Sequence, residues 1–379
     1  MKTNIGKICQ TMFGSIFRFL KTHLGILKYL FGILILGWLL WMNWDPKGEE
    51  PGIVDALQGP IHWWAISLAA LVGLIALLLT FVRWFILVRA QELPFTVSES
   101  IRLGFVGFAM STFLPGSIGG DVIKAACLAR QSDRRTVAVA TVLFDRFVGL
   151  CGLIWLVAIL GTFFWLTGIL DQVIHNADNK SKLLWIVWGS LGLMSGSLLF
   201  WLAIGFVPRQ KVEPLAKRME AIPKIGKSLS ELWRAGWMYR SKWKSVFLCL
   251  ILSLIGHVGF VLMFYFAART IYSSDSIPTV WSHFIIIPVG LTIESPLPTP
   301  NGMGLGEAVF GGLYQWLGAS YRAGIMGSFF RRMVTYSLGA IGYVVYLRMK
   351  PSLPAEANES RDSEKDTIEG KSDVAVTEA

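Results

Sequence analysis

The chain has 379 residues, of which 54% are hydrophobic and 16% are charged, whereas a soluble domain usually carries about 25% charged residues. These proportions exclude an ordinary soluble domain. The formal charge of +10 does not indicate a nucleic-acid partner, because the basic residues are spread over loops between apolar segments, as positive-inside topology requires. The sequence contains no metal-binding, nucleotide-binding or catalytic motif, so we expect no metal, no cofactor and no catalytic residues.

Six apolar runs approach or exceed the roughly 20 residues that cross a hydrocarbon core of about 30 Å. They predict six full transmembrane helices in an all-α polytopic membrane protein. The runs are 23–44, 61–82, 137–167, 183–207, 245–267 and 325–347.

The charges of the loops predict the orientation of these helices. Four basic residues precede the first run, whereas the loop 45–60 carries four acidic residues and one lysine. Because basic loops remain in the cytoplasm, the N-terminus is predicted to be cytoplasmic, and alternation of the spans places the C-terminus there too. The second run is predicted to end before Arg83, in a cytoplasmic loop. The chain is therefore predicted to be a multi-pass protein of the cell membrane, that is, the inner or plasma membrane.

Two further apolar stretches are each interrupted by proline and glycine, which are poor residues in a continuous helix. The first stretch, 102–130, is interrupted between Leu114 and Asp121 and is flanked by basic residues. The second stretch, 280–318, is interrupted between Glu294 and Glu307. Each is predicted to form a re-entrant hairpin, the first entering from the cytoplasm and the second from outside. Eight full transmembrane helices are the alternative.

The two interruptions resemble each other in composition and spacing. Each has a proline, a glycine-rich turn and a carboxylate, Asp121 or Glu307, that opens an apolar helix. Arg146 follows Asp121 by 25 residues, and Arg332 follows Glu307 by the same 25 residues. With opposite entry sides, the two segments predict inverted repeats, a recurring plan of membrane transporters with a site near the midplane.

The predicted organisation is a single transmembrane domain over residues 1–350. Repeat one covers about 61–167 and repeat two about 245–348. The basic segment 208–244 between them is predicted to be a cytoplasmic linker that is amphipathic, with a solvated loop as the alternative. The tail 351–379 is acidic and polar, and is predicted to be disordered in the cytoplasm.

A half-helix that begins within the membrane exposes unpaired N–H groups and a partial positive charge, which form an anion site. Glycines there would let an anion approach the backbone, and Ser117 and Asn301 are expected to cap the helices. Asp121 and Glu307 would either form structural ion pairs or help to bind a head group or carry a proton. The candidate substrate-binding residues are Pro115, Gly116, Ser117, Gly119, Gly120, Asp121, Lys124, Asp145, Arg146, Glu294, Pro300, Asn301, Gly302, Gly304, Gly306, Glu307, Arg331 and Arg332.

Three segments carry a family resemblance: Phe-Leu-Pro-Gly-Ser-Ile-Gly-Gly-Asp-Val-Ile-Lys at 113–124, Asp-Arg-Phe-Val-Gly-Leu at 145–150 and Pro-Asn-Gly-Met-Gly-Leu-Gly-Glu at 300–307. They resemble the flippase-like membrane proteins related to the transmembrane half of lysylphosphatidylglycerol synthases. The resemblance covers roughly residues 28–348. The second hairpin departs from it slightly, with Asn301 where glycine is expected.

The resemblance implies a lipid translocase that moves an anionic or aminoacylated phospholipid, or a polyprenyl-phosphate-linked lipid, between leaflets. Its partners would be membrane lipids with anionic head groups. The alternatives are a membrane-embedded lipid-phosphate transferase, or a non-catalytic scaffold for envelope lipid-synthesis enzymes. Synthases of this kind add a soluble aminoacyl-transferring domain that this chain lacks, so we expect no aminoacyl transfer.

Overall fold

Helices form the whole fold over the residues that the computed structural model describes, which are 27–44, 52–113, 119–130, 134–174, 176–223, 226–272, 277–294, 297 and 299–349. The predicted all-α class is confirmed. The predicted tail and both chain ends lie outside these ranges. In chain order the helices are α1 Leu27–Met42, α2 Ile53–Gln58, α3 Trp63–Ala90, α4 Val97–Phe113, α5 Gly119–Arg130, α6 Arg135–Leu166, α7 Ile169–Val173, α8 Ala177–Gly205, α9 Arg209–Glu220, α10 Gly226–Tyr239, α11 Trp243–Ala268, α12 Val280–Glu294, α13 Leu305–Trp316 and α14 Tyr321–Met349.

Four helical stretches within the described ranges are long and apolar enough to cross a membrane. The other two predicted spans correspond to α1, a shorter apolar helix, and to α14, which has 29 residues but carries two buried arginines. The four long stretches are Trp63–Ala90, Arg135–Leu166, Ala177–Gly205 and Leu229–Ala268.

The second predicted span ends later than expected. Helix α3 continues to Ala90, so Arg83 lies inside it and is buried. The prediction that Arg83 belongs to a cytoplasmic loop is therefore wrong. An apolar helix can continue through an arginine here because the side chain meets a buried carboxylate on α6, as described below.

The two interrupted stretches are each divided into two short helices. Helix α4 ends at Phe113 before α5 begins at Gly119, and α12 ends at Glu294 before α13 begins at Leu305. Both α5 and α13 have 12 residues, about 18 Å at 1.5 Å per residue, which is shorter than a hydrocarbon core. Each half of the chain, α3–α6 and α11–α14, thus consists of a long helix, two short helices and another long helix.

The two halves interlock through their helices. Helix α3 packs along α11, α4 packs on α14, and α12 packs on α6, so a short helix from each half contacts the last long helix of the other. Small residues permit the close approach of α3 and α11, since Gly73 lies against Met263 and Gly259 lies against Ala76.

The basic linker between the halves is helical, not a solvated loop. Helices α9 and α10 pack on each other and on the end of α8, where Ile204, Val212 and Trp233 form a buried apolar cluster. On the polar side, Arg234 Nη2 donates to Glu213 Oε1 at 2.8 Å, and this hydrogen bond lowers the pKa of the Glu213 carboxyl. Part of the linker's apolar face is therefore buried within the protein.

The contact between α4 and α5 supplies a first prediction. A Cβ at Gly120 would overlap the carbonyl oxygen of Gly107 and the hydroxyl of Ser111. We expect Gly120→Ala to force α4 and α5 apart and to lower the melting temperature of the detergent-solubilised protein, at a cost of about 1–3 kcal/mol. Gly312→Ala on α13 is the matched control, because no described atom lies within 4 Å of its Cβ position. Equal melting temperatures for the two variants would contradict the close contact.

Candidate functional site

A cavity of about 610 Å³ lies between the two halves of the fold. The first half contributes residues of α3 to α6, and the second contributes residues of α11, α12, α14 and the turn Pro300–Gly302. Both interrupted segments therefore face the same space. The polar residues that line it are Lys28, Thr80, Arg83, Ser111, Thr112, Asp121, Lys124, Asp145, Arg146, Glu294, Thr299, Asn301 and Arg331.

On the side of the first half, two ion pairs line the cavity. Asp121 lies in the first turn of α5, where the helix dipole favours a carboxylate, and its Oδ2 accepts from Arg146 Nε at 2.5 Å. This is the pair that the 25-residue spacing suggests. Arg146 remains 52% exposed. The second pair is buried: Arg83 Nε donates to Asp145 Oδ1 at 2.7 Å, and Arg83 Nη1 donates to Ser253 Oγ at 3.0 Å.

In the second half, the corresponding acid and arginine are more deeply buried. Glu307 lies in the first turn of α13 with no exposed surface. Its Oε2 accepts from the Gly304 N–H at 2.7 Å, and its Oε1 accepts from Arg332 Nε at 2.6 Å. Arg332 also donates from Nη1 to the Asn301 carbonyl at 2.6 Å and from Nη2 to Glu294 Oε1 at 3.3 Å. The 25-residue spacing thus marks an ion pair in both halves.

A further arginine joins this buried group. Arg331 Nη2 donates to both oxygens of Glu294, at 2.7 and 3.0 Å. Two arginines and two glutamates therefore neutralise one another, with Glu294 contacting both arginines. Arg331 Nε is a buried donor that has no acceptor among the described residues, although its guanidinium lies 5.3 Å from the centre of the Phe310 ring.

The structure brings nine of the predicted site residues to the cavity wall. Glu307 and Arg332 lie behind that wall, and Gly119 begins α5. Pro115, Gly116 and Ser117 lie outside the described residues. The nine lining residues are Asp121, Lys124, Asp145, Arg146, Glu294, Pro300, Asn301, Gly302 and Arg331.

The predicted capping by Asn301 is wrong. Helix α13 begins after Gly304, which has a φ of 79°, and the Glu307 carboxylate occupies the capping position. Asn301 instead adopts the left-handed conformation, with φ 49°. Its carbonyl oxygen faces Arg332 because this turn directs the peptide towards the buried arginine.

Three of the predicted site glycines lie at close contacts between helices. Gly120, Gly304 and Gly306 are not among the described residues that line the cavity. Gly120 packs on α4, and a Cβ at Gly304 would lie 2.7 Å from the carbonyl oxygen of Gly32 on α1. A Cβ at Gly306 would lie 2.6 Å from Glu294 Oε1. These glycines allow close packing around the half-helices, which fixes the ionised groups in place.

Two charged cavity residues, Lys28 and Arg83, are missing from the predicted site. For Arg83 the sequence does contain a signal, because this arginine follows an apolar run with no proline or glycine beside it. Such an arginine is compatible with a buried ion pair inside a helix as well as with a helix end. The hydroxyl groups of Thr80, Ser111, Thr112 and Thr299 carry no such signal, because threonine and serine are common in any membrane helix.

The cavity has more positive than negative charge. Five cationic residues and three acidic residues line it, an excess of two positive charges among the described lining residues. Lys124 lies beside two aromatic rings of α3. Its ammonium lies 5.2 Å from the Trp84 ring centre and 5.9 Å from the Phe81 ring centre, and it forms no ion pair with any described carboxylate. Such a site is suited to an anion.

Comparison with known proteins identifies the family. The model for the lysylphosphatidylglycerol synthase TM region matches residues 25–342, a span that holds both interrupted segments and every described residue of the cavity wall. No curated protein and no solved structure matches the chain. Because the match covers most of its length, the chain belongs to the lysylphosphatidylglycerol synthase TM-region family.

Proposed function

We propose that the protein is a lipid translocase that moves an anionic or aminoacylated phospholipid, or a polyprenyl-phosphate-linked lipid, between the leaflets of the cell membrane. The observation that supports this function best is one cavity that both interrupted segments line, with an excess of two positive charges among its described lining residues. Membership of the family supports a membrane protein of the lysylphosphatidylglycerol synthase kind. The lipid class and the movement are the proposal.

In this proposal the polar head group passes through the cavity while the acyl chains remain in the bilayer. The charged wall replaces part of the hydration that a phosphate loses at membrane depth, where an uncompensated charge is costly. The segments α4–α5 and α12–α13 act as re-entrant hairpins of two inverted repeats, and both termini lie in the cytoplasm. The equal lengths of α5 and α13 and the interlocked packing of the halves support this arrangement.

The cavity supports lipid-phosphate transfer less well than transport. A transferase needs a positioned group that can accept or donate a proton. The acidic lining residues Asp121, Asp145 and Glu294 are each already bonded to an arginine. The described wall therefore offers charge for binding, but no carboxylate free for acid or base chemistry.

A leaflet-resolved transport assay in proteoliposomes tests the proposal. We expect different effects from the same substitution at the two equivalent arginines, Arg146 and Arg332. Wild-type protein should move fluorescent anionic lipids between leaflets without changing them chemically. Arg146→Lys should fold normally but slow this movement about tenfold, because lysine cannot bind a phosphate through two parallel hydrogen bonds. Arg332→Lys should lower thermal stability, since lysine cannot reproduce the three directed contacts of Arg332.

Two outcomes would contradict this assignment. A chemically altered lipid would indicate a transferase. Wild-type rates in Arg146→Lys, measured at matched protein density and melting temperature, would show that Arg146 is only the counterion of Asp121.

A further inference from the structure

The ion pairs in the cavity wall indicate which ligand charge the cavity can accept. Each acidic residue that lines the described wall is bonded to an arginine: Asp121 at 2.5 Å, Asp145 at 2.7 Å and Glu294 at 2.7 Å. No carboxylate of the described wall is therefore left for a ligand that carries an ammonium group. A positively charged head group would meet only the remaining cations.

The described wall has more positive than negative charge. Lys28 and Lys124 line the cavity in addition to the three arginines that neutralise the acids. Aromatic rings flank the Lys124 ammonium, and they lower the local dielectric that would otherwise screen its charge. Arg331 also lines the cavity. Its buried Nε has no acceptor among the described residues, and its side chain is only 9% exposed.

We infer that the cavity selects a lipid whose head group ends in a phosphate monoester and rejects aminoacylated head groups. This inference rests on the proposed translocation. A monoester carries a charge of about −1.5 to −2 near neutral pH and has three terminal acceptor oxygens. That charge matches the excess of two in the wall. A phosphodiester carries a single charge and leaves one cation uncompensated, and an aminoacyl group adds a further positive charge with no counterion.

The experiment compares lipids with identical acyl chains, so that the head group is the single variable. Purified full-length protein in detergent is titrated with phosphatidic acid, phosphatidylglycerol and lysylphosphatidylglycerol, and binding is measured by native mass spectrometry. We expect phosphatidic acid to bind about tenfold more tightly than phosphatidylglycerol at pH 7.5, and lysylphosphatidylglycerol to bind most weakly. At pH 5 the advantage of phosphatidic acid should shrink, because its second ionisation is reversed near pH 6.

A substitution at Lys124 links this selectivity to the excess positive charge of the wall. Lys124→Met should reduce the preference for phosphatidic acid to about twofold without lowering the melting temperature, since Asp121 and Asp145 keep their bonds to Arg146 and Arg83. Lys124→Arg, which keeps the positive charge, should keep the wild-type preference for phosphatidic acid. Lys242→Met is the matched control, because Lys242 pairs with Glu92 at 3.0 Å on an exposed surface outside the cavity.

The outcomes separate this inference from the proposed function. Tighter binding or faster movement of phosphatidylglycerol or lysylphosphatidylglycerol would overturn the charge selectivity and leave translocation standing. Failure of every lipid to bind or move would overturn both. Displacement of phosphatidic acid by an equal concentration of glycerol 3-phosphate would show that the site takes a soluble phosphate, and would overturn the lipid assignment.

Discussion

Glu307→Gln should destabilise the protein strongly, whereas Asp121→Asn should leave it folded and abolish transport. The two acids open equivalent half-helices and pair with arginines at the same spacing. Their surroundings differ. Glu307 and Arg332 have 0% and 3% exposed side chains, whereas Asp121 and Arg146 have 17% and 52%.

Burial determines the size of each effect. Removing one partner of a buried ion pair leaves an uncompensated charge and costs about 3–5 kcal/mol. In Glu307→Gln, Glu294 alone would have to balance both Arg331 and Arg332. The Asp121 pair is partly screened by water and contributes about 0–1 kcal/mol, so Asp121→Asn should cost little stability. Asparagine keeps the size and an oxygen for the first turn of α5. It removes the carboxylate that holds Arg146 at the cavity wall, so the arginine that we propose to bind the phosphate loses its position and transport should be lost.

The measurement pairs thermal unfolding in detergent with the leaflet-resolved transport assay. Glu307→Gln should lose much of the folded yield, and Asp121→Asn should match the wild-type melting temperature with no transport. Wild-type transport in Asp121→Asn would show that its carboxylate only caps a helix. A stable Glu307→Gln variant would show that folding does not require two glutamates to balance the two buried arginines.

The sequence predicts the parts of this fold that depend on local pattern. Proline and glycine within apolar runs predict the breaks between α4 and α5 and between α12 and α13, since these residues disfavour a continuous helix. The 25-residue spacing predicts which acid meets which arginine, because a half-helix followed by a long helix brings the two positions together in both halves.

Other features depend on contacts between distant segments, and the sequence does not show these. Arg83 follows an apolar run, so its charge suggests a helix end, and only its partner Asp145 on another helix keeps it inside the protein. Positions 145 and 331 are equivalent in the repeat but have opposite charge, and each finds its own partner, Arg83 or Glu294. No alignment of the two repeats predicts such a partner.

The role of Asp145 can be resolved by a double-mutant cycle with Arg83. Arg83→Met leaves a carboxylate that is 11% exposed without its counterion, and Asp145→Asn leaves a guanidinium that is 6% exposed. Each single substitution should cost about 3–5 kcal/mol of folding free energy. The double variant Arg83→Met/Asp145→Asn removes both charges and should be more stable than either single variant, because no buried charge is left unpaired.

Thermal unfolding of the four proteins in detergent measures the coupling. Lys180 and Asp171 form an exposed pair, with Asp171 60% exposed, and serve as the control cycle with an expected coupling of about 0–1 kcal/mol. Additive losses in the Arg83 cycle would contradict a buried ion pair.

The stable double variant then separates the structural role of Asp145 from a role in transport. Asp145 lines the cavity with a carboxylate already bonded to Arg83, so its charge should be needed for folding and not for binding an anion. We therefore expect the double variant to retain transport, and its complete inactivity at wild-type stability would place Asp145 among the residues that contact the lipid.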